Sequence, residues 1–127
     1  GKTGRFQAAV AQKPVINWHS FIGVTDAYPG IARYWFHHMP WEEPEQYLAR
    51  SPISLVGHVT TPTMLLTGED DYRTPISESE QFYQALKLRG VETMMVRIPG
   101  AGHGIVARPS RLMVKVAHVL KWFQVHR

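Results

Sequence analysis

The chain has 127 residues, a formal charge of +4 and no cysteine, which makes it one domain or a piece of one without disulfides, thiolate catalysis or zinc–thiolate sites. A hydrophobic content of 44% with 11% aromatics excludes a disordered chain, and no apolar run approaches the roughly 18–20 residues of a membrane span. Basic residues are scattered rather than gathered in runs, so neither nucleic acid nor a membrane is expected as a partner. The start, Gly1-Lys2-Thr3-Gly4-Arg5, is basic, but the apolar stretch after it is short and holds Gln7, so no export signal is read and a cytoplasmic protein is expected.

Residues 6–11 read as a short buried strand, closed by Gln12-Lys13-Pro14 because proline brings no donor to a central ladder. Val15-Ile16-Asn17-Trp18 follows, then a mixed stretch as far as the turn signal Tyr28-Pro29-Gly30. Residues 31–38 suit a helix with Ile31, Tyr34, Trp35 and His38 on one side. A shorter helix over 45–49 has Pro44 in its first turn and is closed by Ser51-Pro52-Ile53. Thr61-Pro62 introduces an apolar strand over 63–66, which runs into the acidic turn Thr67-Gly68-Glu69-Asp70-Asp71-Tyr72-Arg73-Thr74-Pro75.

Pro75 and Ser77 then suit a helix start, with Ser77 and Glu80 at capping-box spacing. Its stripe is Phe82, Leu86 and, one turn earlier, Ile76 or Ser79, and Gly90 ends it. Residues 91–98 pattern as an outer strand, leading to Pro99-Gly100-Ala101-Gly102-His103-Gly104. Pro109-Ser110 opens the last helix, 111–125, in which Lys115, His118, Lys121 and Gln124 form one narrow polar stripe. A helix so apolar elsewhere requires burial around most of its circumference. A body of this size covers it poorly, so further chain or a partner, a second copy included, is expected against it. The alternation of strands and helices with short loops means an α/β fold, a mostly parallel sheet with covering helices.

In such sheets, ligands and catalytic groups gather beyond the carboxyl ends of the strands. One strand here delivers an acid and the next a histidine, with Asp71 and His103 separated by 32 residues. That interval is one helix, one strand and their turns, so both can reach the same sheet edge. A histidine base needs a carboxylate to fix its tautomer and to stabilise the imidazolium formed on proton transfer. Each residue alone reads equally well as a turn acid or a loop histidine, and Asp70 competes with Asp71. Together, on successive strand ends, they match the last two members of a Ser…Asp…His order.

Asp71-Tyr72-Arg73-Thr74-Pro75 followed by Pro99-Gly100-Ala101-Gly102-His103-Gly104 resembles the C-terminal part of the catalytic α/β-hydrolase domain in the prolyl oligopeptidase family of serine peptidases. The similarity is greatest to its acylaminoacyl-peptidase and dipeptidyl-aminopeptidase-like branch. It extends over nearly the whole chain, through Pro14-Val15-Ile16-Asn17-Trp18, Pro40-Trp41-Glu42, Thr61-Pro62-Thr63 and Lys121-Trp122-Phe123. The resemblance implies Asp71 as the triad acid and His103 as the general base. It places Arg73 beside the substrate, as a contact or as a brace for its turn. Trp18, Phe21, Tyr34, Trp35 and Phe36 fall in the region that lines the apolar specificity pocket of relatives, where plain core packing is the competing reading. Peptide or acyl-peptide bonds are the implied substrate, and no metal or organic cofactor is implied.

One departure is large. The family's Gly-x-Ser-x-Gly elbow is missing, because Ser20, Ser51, Ser54, Ser77, Ser79 and Ser110 all lack flanking glycines two places away. With it goes one oxyanion donor, the amide after the nucleophile. The chain 1–127 is therefore expected to be a C-terminal piece of the catalytic domain, dependent on the remainder of that domain and inactive alone. Two other classes fit parts of the sequence. A metal site from His37, His38 and Glu42 or Glu43 is disfavoured, since adjacent helical side chains diverge by about 100°. A non-catalytic interaction or assembly module would use the apolar last helix.

Overall fold

Strand β2 (Thr63–Gly68) is buried at all six positions. In the computed structural model, which describes residues 1–126, it is the middle member of a three-stranded parallel sheet ordered β1-β2-β3. Its neighbours are β1 (Ala9–Gln12) and β3 (Thr93–Ile98), with Ala9 opposite Thr63 and Gly68 opposite Ile98. A strand covered on both faces needs a continuous apolar run rather than alternation, and Met64-Leu65-Leu66 provides it. The buried hydroxyl of Thr67 is satisfied by Ser79 Oγ at 2.5 Å.

The helices are α1 (Trp18–Phe21), α2 (Tyr28–Tyr34), α3 (Pro44–Arg50), α4 (Ile76–Leu88) and α5 (Pro109–Val125), with a 3₁₀ helix at Pro52–His58. On one sheet face Met64, Leu66, Val96 and Ile98 form a core with Ala101, Ile105 and Trp122 of α5. On the other, Thr67 meets Ser79 of α4. A second core joins Phe21, Ile22, Ile31, Phe36 and Tyr47 from the α1–α3 segment.

Several boundaries differ from the sequence pattern. β1 starts at Ala9, and Phe6 is exposed. Tyr28-Pro29-Gly30 is the first turn of α2 rather than a separate turn, because a proline at the start of a helix has a suitable φ and loses no bond there. The same helix stops at Tyr34, short of residue 38. The Ser77–Glu80 capping box does not form: α4 begins at Ile76 with Pro75 as its N-cap, so Ser77 is already inside it. Glu80 instead accepts from Arg97 at 2.7 Å.

The end of α4 follows expectation. Gly90 has φ +70°, its N–H donates to the Lys87 carbonyl, and Val91 N–H donates to that of Leu86, which is the Schellman pattern. On α5, Lys115 and His118 are half-buried while Leu112, Met113, Val116, Leu120 and Phe123 are exposed, so the apolar stripe is the one that faces outward.

Candidate active site

The loops after β2 and β3 are built as one unit. A Cβ on Gly68 would lie 2.0 Å from the Ala101 carbonyl oxygen, so only glycine lets the two segments cross this closely. Glu69 N–H donates to the Ile98 carbonyl at 3.1 Å, and Asp70 N–H to that of Ala101 at 3.0 Å. Beyond His103 the chain turns through Ile105, with φ +60° and Val106 N–H on the Gly104 carbonyl. A β-branched residue in that conformation costs on the order of 1–3 kcal/mol. Burial of Ile105 in the α5 core offsets it.

These loops bring Asp71 and His103 together. His103 Nδ1 lies 3.0 Å from Asp71 Oδ2 and 3.2 Å from Oδ1. The Asp71 side chain is 0% exposed and that of His103 46%. Asp71 Oδ1 also accepts from the N–H groups of Arg73 (3.0 Å) and Thr74 (2.9 Å), and Oδ2 from Thr74 Oγ1 (3.0 Å). The carboxylate is thereby fixed by its own turn before the imidazole reaches it. With Nδ1–H directed at the acid, Nε2 is left without a hydrogen-bond partner among the described residues, as a general base requires. Asp71, not Asp70, is the residue in contact with the ring.

Beside His103 opens a cleft of about 300 Å³, walled by Val15, Trp18, Phe21, Ile31 and Trp35 and bordered by Arg73 and His103. Trp18 meets Trp35 edge-on, with ring centroids 5.3 Å apart. Arg73 turns its guanidinium to Asp26, Nε to Oδ1 at 2.5 Å. This hydrogen bond raises its already high pKa further. Its carbonyl accepts from Thr25 Oγ1 at 2.7 Å, so the Thr25–Asp26 loop is fastened to the turn that carries the acid.

Tyr34 and Phe36 do not line the cleft. Tyr34 is 74% exposed, and Phe36, 2% exposed, stacks on Tyr47 at 3.9 Å. Phe36 packs instead into the core of the α1–α3 segment with Phe21, Ile31 and Tyr47, and Tyr34 closes α2 on its solvent side. His38 Nε2 lies 3.3 Å from Glu43 Oε1, and among the described residues no three histidine, aspartate or glutamate side chains gather to hold an ion.

Sequence reasoning passed over Thr74, Asp26 and Glu78. Thr74 had a signal, since a short polar residue just after a turn aspartate is placed to bond its carboxylate. Glu78 had one too, lying at i, i+4, i+8 with Phe82 and Leu86.

The model of the prolyl oligopeptidase family matches residues 1–126. The chain is 38% identical over 128 residues to the uncharacterized peptidase YuxL of Bacillus subtilis, covering 99% of this chain and 20% of that protein. It is 33% identical over 132 residues to acylamino-acid-releasing enzyme 1 of Oryza sativa, covering 97% of this chain and 17% of that protein. The backbone is similar to that of Pyrococcus horikoshii acylaminoacyl peptidase, with a TM-score of 0.91 at 24% identity over 98% of this chain and 20% of that one. This last likeness concerns the α/β-hydrolase fold. The chain spans about a fifth of the length of these relatives.

Proposed function

The chain belongs to the prolyl oligopeptidase family, and we propose that it supplies the acid and base of a Ser–Asp–His triad to a serine peptidase acting on peptide or N-acyl-peptide bonds. The observation that carries this reading is the buried Asp71 carboxylate 3.0 Å from His103 Nδ1, beside an apolar cleft. A serine from polypeptide beyond these residues attacks the scissile carbonyl. His103 Nε2 takes its proton and returns it to the leaving amine, while Asp71 orients the ring and stabilises the imidazolium. Trp18 and Trp35 receive an apolar side chain, and Arg73 borders the peptide. The reaction needs no metal or organic cofactor. A cytoplasmic location is part of the proposal and is supported by the cysteine-free composition.

The nucleophile is assigned elsewhere because no serine here has flanking glycines. Ser20, Ser51 and Ser79 are already engaged with Glu78, the Trp18 amide and Thr67. Loss of a triad serine costs on the order of 10⁶ in turnover, and one oxyanion donor goes with it. The test is hydrolysis of a chromogenic N-acyl-amino-acid substrate by the full-length gene product. His103→Ala is expected to abolish turnover, and a wild-type rate in that variant overturns the reading. The exposed apolar stripe of α5 favours a second reading, a non-catalytic assembly module. Unchanged assembly in a His103→Ala variant, with no hydrolysis by the wild type, would support it.

A further inference from the structure

Trp18 forms a wall of the cleft, yet it stands on α1, a helix of only four residues. One isolated turn has no stability of its own in water, so the placement of Trp18 is dictated by whatever grips the turn from outside. Two side chains of α4 share the polar part of that grip: Gln81, which accepts from Asn17 Nδ2 and donates to Ser20 Oγ, each at 2.9 Å, and Glu78, which alone holds the backbone of the turn's entry. Ile16 N–H and Asn17 N–H both donate to Glu78 Oε2 at 2.9 Å. Oε1 accepts from Ser20 Oγ at 3.0 Å and Gln81 Nε2 at 3.2 Å. Trp18 N–H is held by Ser51 Oγ at 2.9 Å, and His19 N–H by Asn17 Oδ1 at 3.2 Å.

Glu78 is 0% exposed, and a carboxyl so deeply buried is tolerated only when its oxygens are satisfied. It lies in the first turn of α4, directly after the turn that carries Asp71, Arg73 and Thr74. One carboxylate thus couples the aromatic wall to the segment that holds the acid. We propose that Glu78 is a positioning residue for substrate selection: it sets the distance between the Trp18 wall and the Asp71–His103 pair, and so the fit of bulky apolar side chains next to the scissile bond. This rests on the peptidase reading above. Glu78 touches neither His103 nor the cleft, so its effect passes through Trp18.

The test compares Glu78→Gln and Ser20→Ala with the wild type in the full-length gene product. Two N-acyl substrates are used, identical except for phenylalanine or alanine before the scissile bond. Glu78→Gln preserves volume but can turn an amide N–H₂ against the Ile16 and Asn17 donors. It is expected to raise KM for the phenylalanine substrate about tenfold while leaving the alanine substrate and kcat within about threefold. Ser20→Ala is expected to shift the same ratio in the same direction by less.

Hydrogen exchange should show lost protection at the Ile16 and Asn17 amides with Leu65 and Leu66 unchanged. Equal effects on both substrates, or an unaltered phenylalanine-to-alanine ratio, overturn the proposal. If Glu78→Gln does not fold, an unaltered ratio in Ser20→Ala overturns it. Absence of His103-dependent turnover in the wild type defeats the peptidase reading instead. Amide exchange then decides alone, and retained protection at Ile16 and Asn17 in Glu78→Gln overturns the positioning role.

Discussion

Asp71 is held by three donors from its own turn, and the hydroxyl of Thr74 shares Oδ2 with His103. A base oriented through such an acid inherits the acid's rigidity. Thr74→Val keeps the volume and the N–H bond but removes the hydroxyl donor. A hydrogen bond to a charged group contributes about 1.5–3 kcal/mol, so kcat in the full-length gene product should fall roughly 10- to 100-fold with KM little changed. Asp71→Asn should cut kcat by about 10⁴, since the amide cannot hold the same tautomer of His103. Single-turnover kinetics would check both, and a wild-type rate in Asp71→Asn would remove the acid assignment. Asp71 and His103 were legible in the sequence because a strand pattern followed by a glycine-bearing turn fixes which edge a residue reaches. Glu78 left only its helical spacing with Phe82 and Leu86 as a trace, because a charged residue at the start of a helix reads as solvated and its burial is decided by partners far away in the chain. Tyr34 and Phe36 were placed at the pocket by family resemblance, which marks a region of the chain but not the side on which each side chain emerges, so Trp35 lines the cleft while its two neighbours do not.

Elements fix the site through their ends more than through their middles. β2, α4 and α5 were legible because each has a continuous apolar run or a long stripe. The helix α2 was legible but its bounds were not, since Tyr-Pro-Gly reads as a turn wherever tertiary packing does not make it a helix start. Gly68 ends β2 where the His103 loop crosses it. Gly68→Ala should displace that loop, because its Cβ would overlap a backbone oxygen rather than a movable side chain. The expected result is loss of His103-dependent turnover, with lowered hydrogen-exchange protection in residues 99–106 checked on the same sample.

The far end of α5 makes a pH-dependent tie. His126 donates from Nδ1 to the Trp122 carbonyl at 2.9 Å, and its Nε2 lies 3.0 Å from Glu92 Oε1. The hydrogen bond to that carbonyl, opposed by partial desolvation and reinforced by Glu92, raises the imidazole above its usual 6.5. A raised folded-state pKa contributes stability that is complete below the unfolded value and is lost as pH rises through the folded one. Thermal midpoints should therefore fall from about pH 6 upward in the wild type. His126→Gln should flatten that slope, and an identical slope in both would refute the tie.

At the scale of the whole molecule, the decisive feature is which side of α5 is covered. Trp122 and Val119 enter the sheet core, while Leu112, Met113, Val116, Leu120 and Phe123 remain exposed. At about 100° per residue, those five fall within roughly 100° of the helix circumference, so they form one continuous strip rather than scattered apolar points. A strip of this kind draws a second surface toward it, because burying apolar area stabilises association by about 25 cal/mol per Å². The 127-residue chain studied alone should consequently self-associate in sedimentation and bind an apolar dye, while hydrolysing no N-acyl-peptide substrate. Met113→Glu with Leu120→Glu should return it to monomer with unchanged circular dichroism. In the full-length gene product the same pair of substitutions separates two ways of covering the strip. If further chain of the same polypeptide covers it, the substitutions lower the thermal midpoint and leave the sedimentation coefficient as it was. If a second copy covers it, they halve the mass and leave the fold of each copy intact. A monomeric, dye-free wild-type chain would show that the strip needs no cover at all.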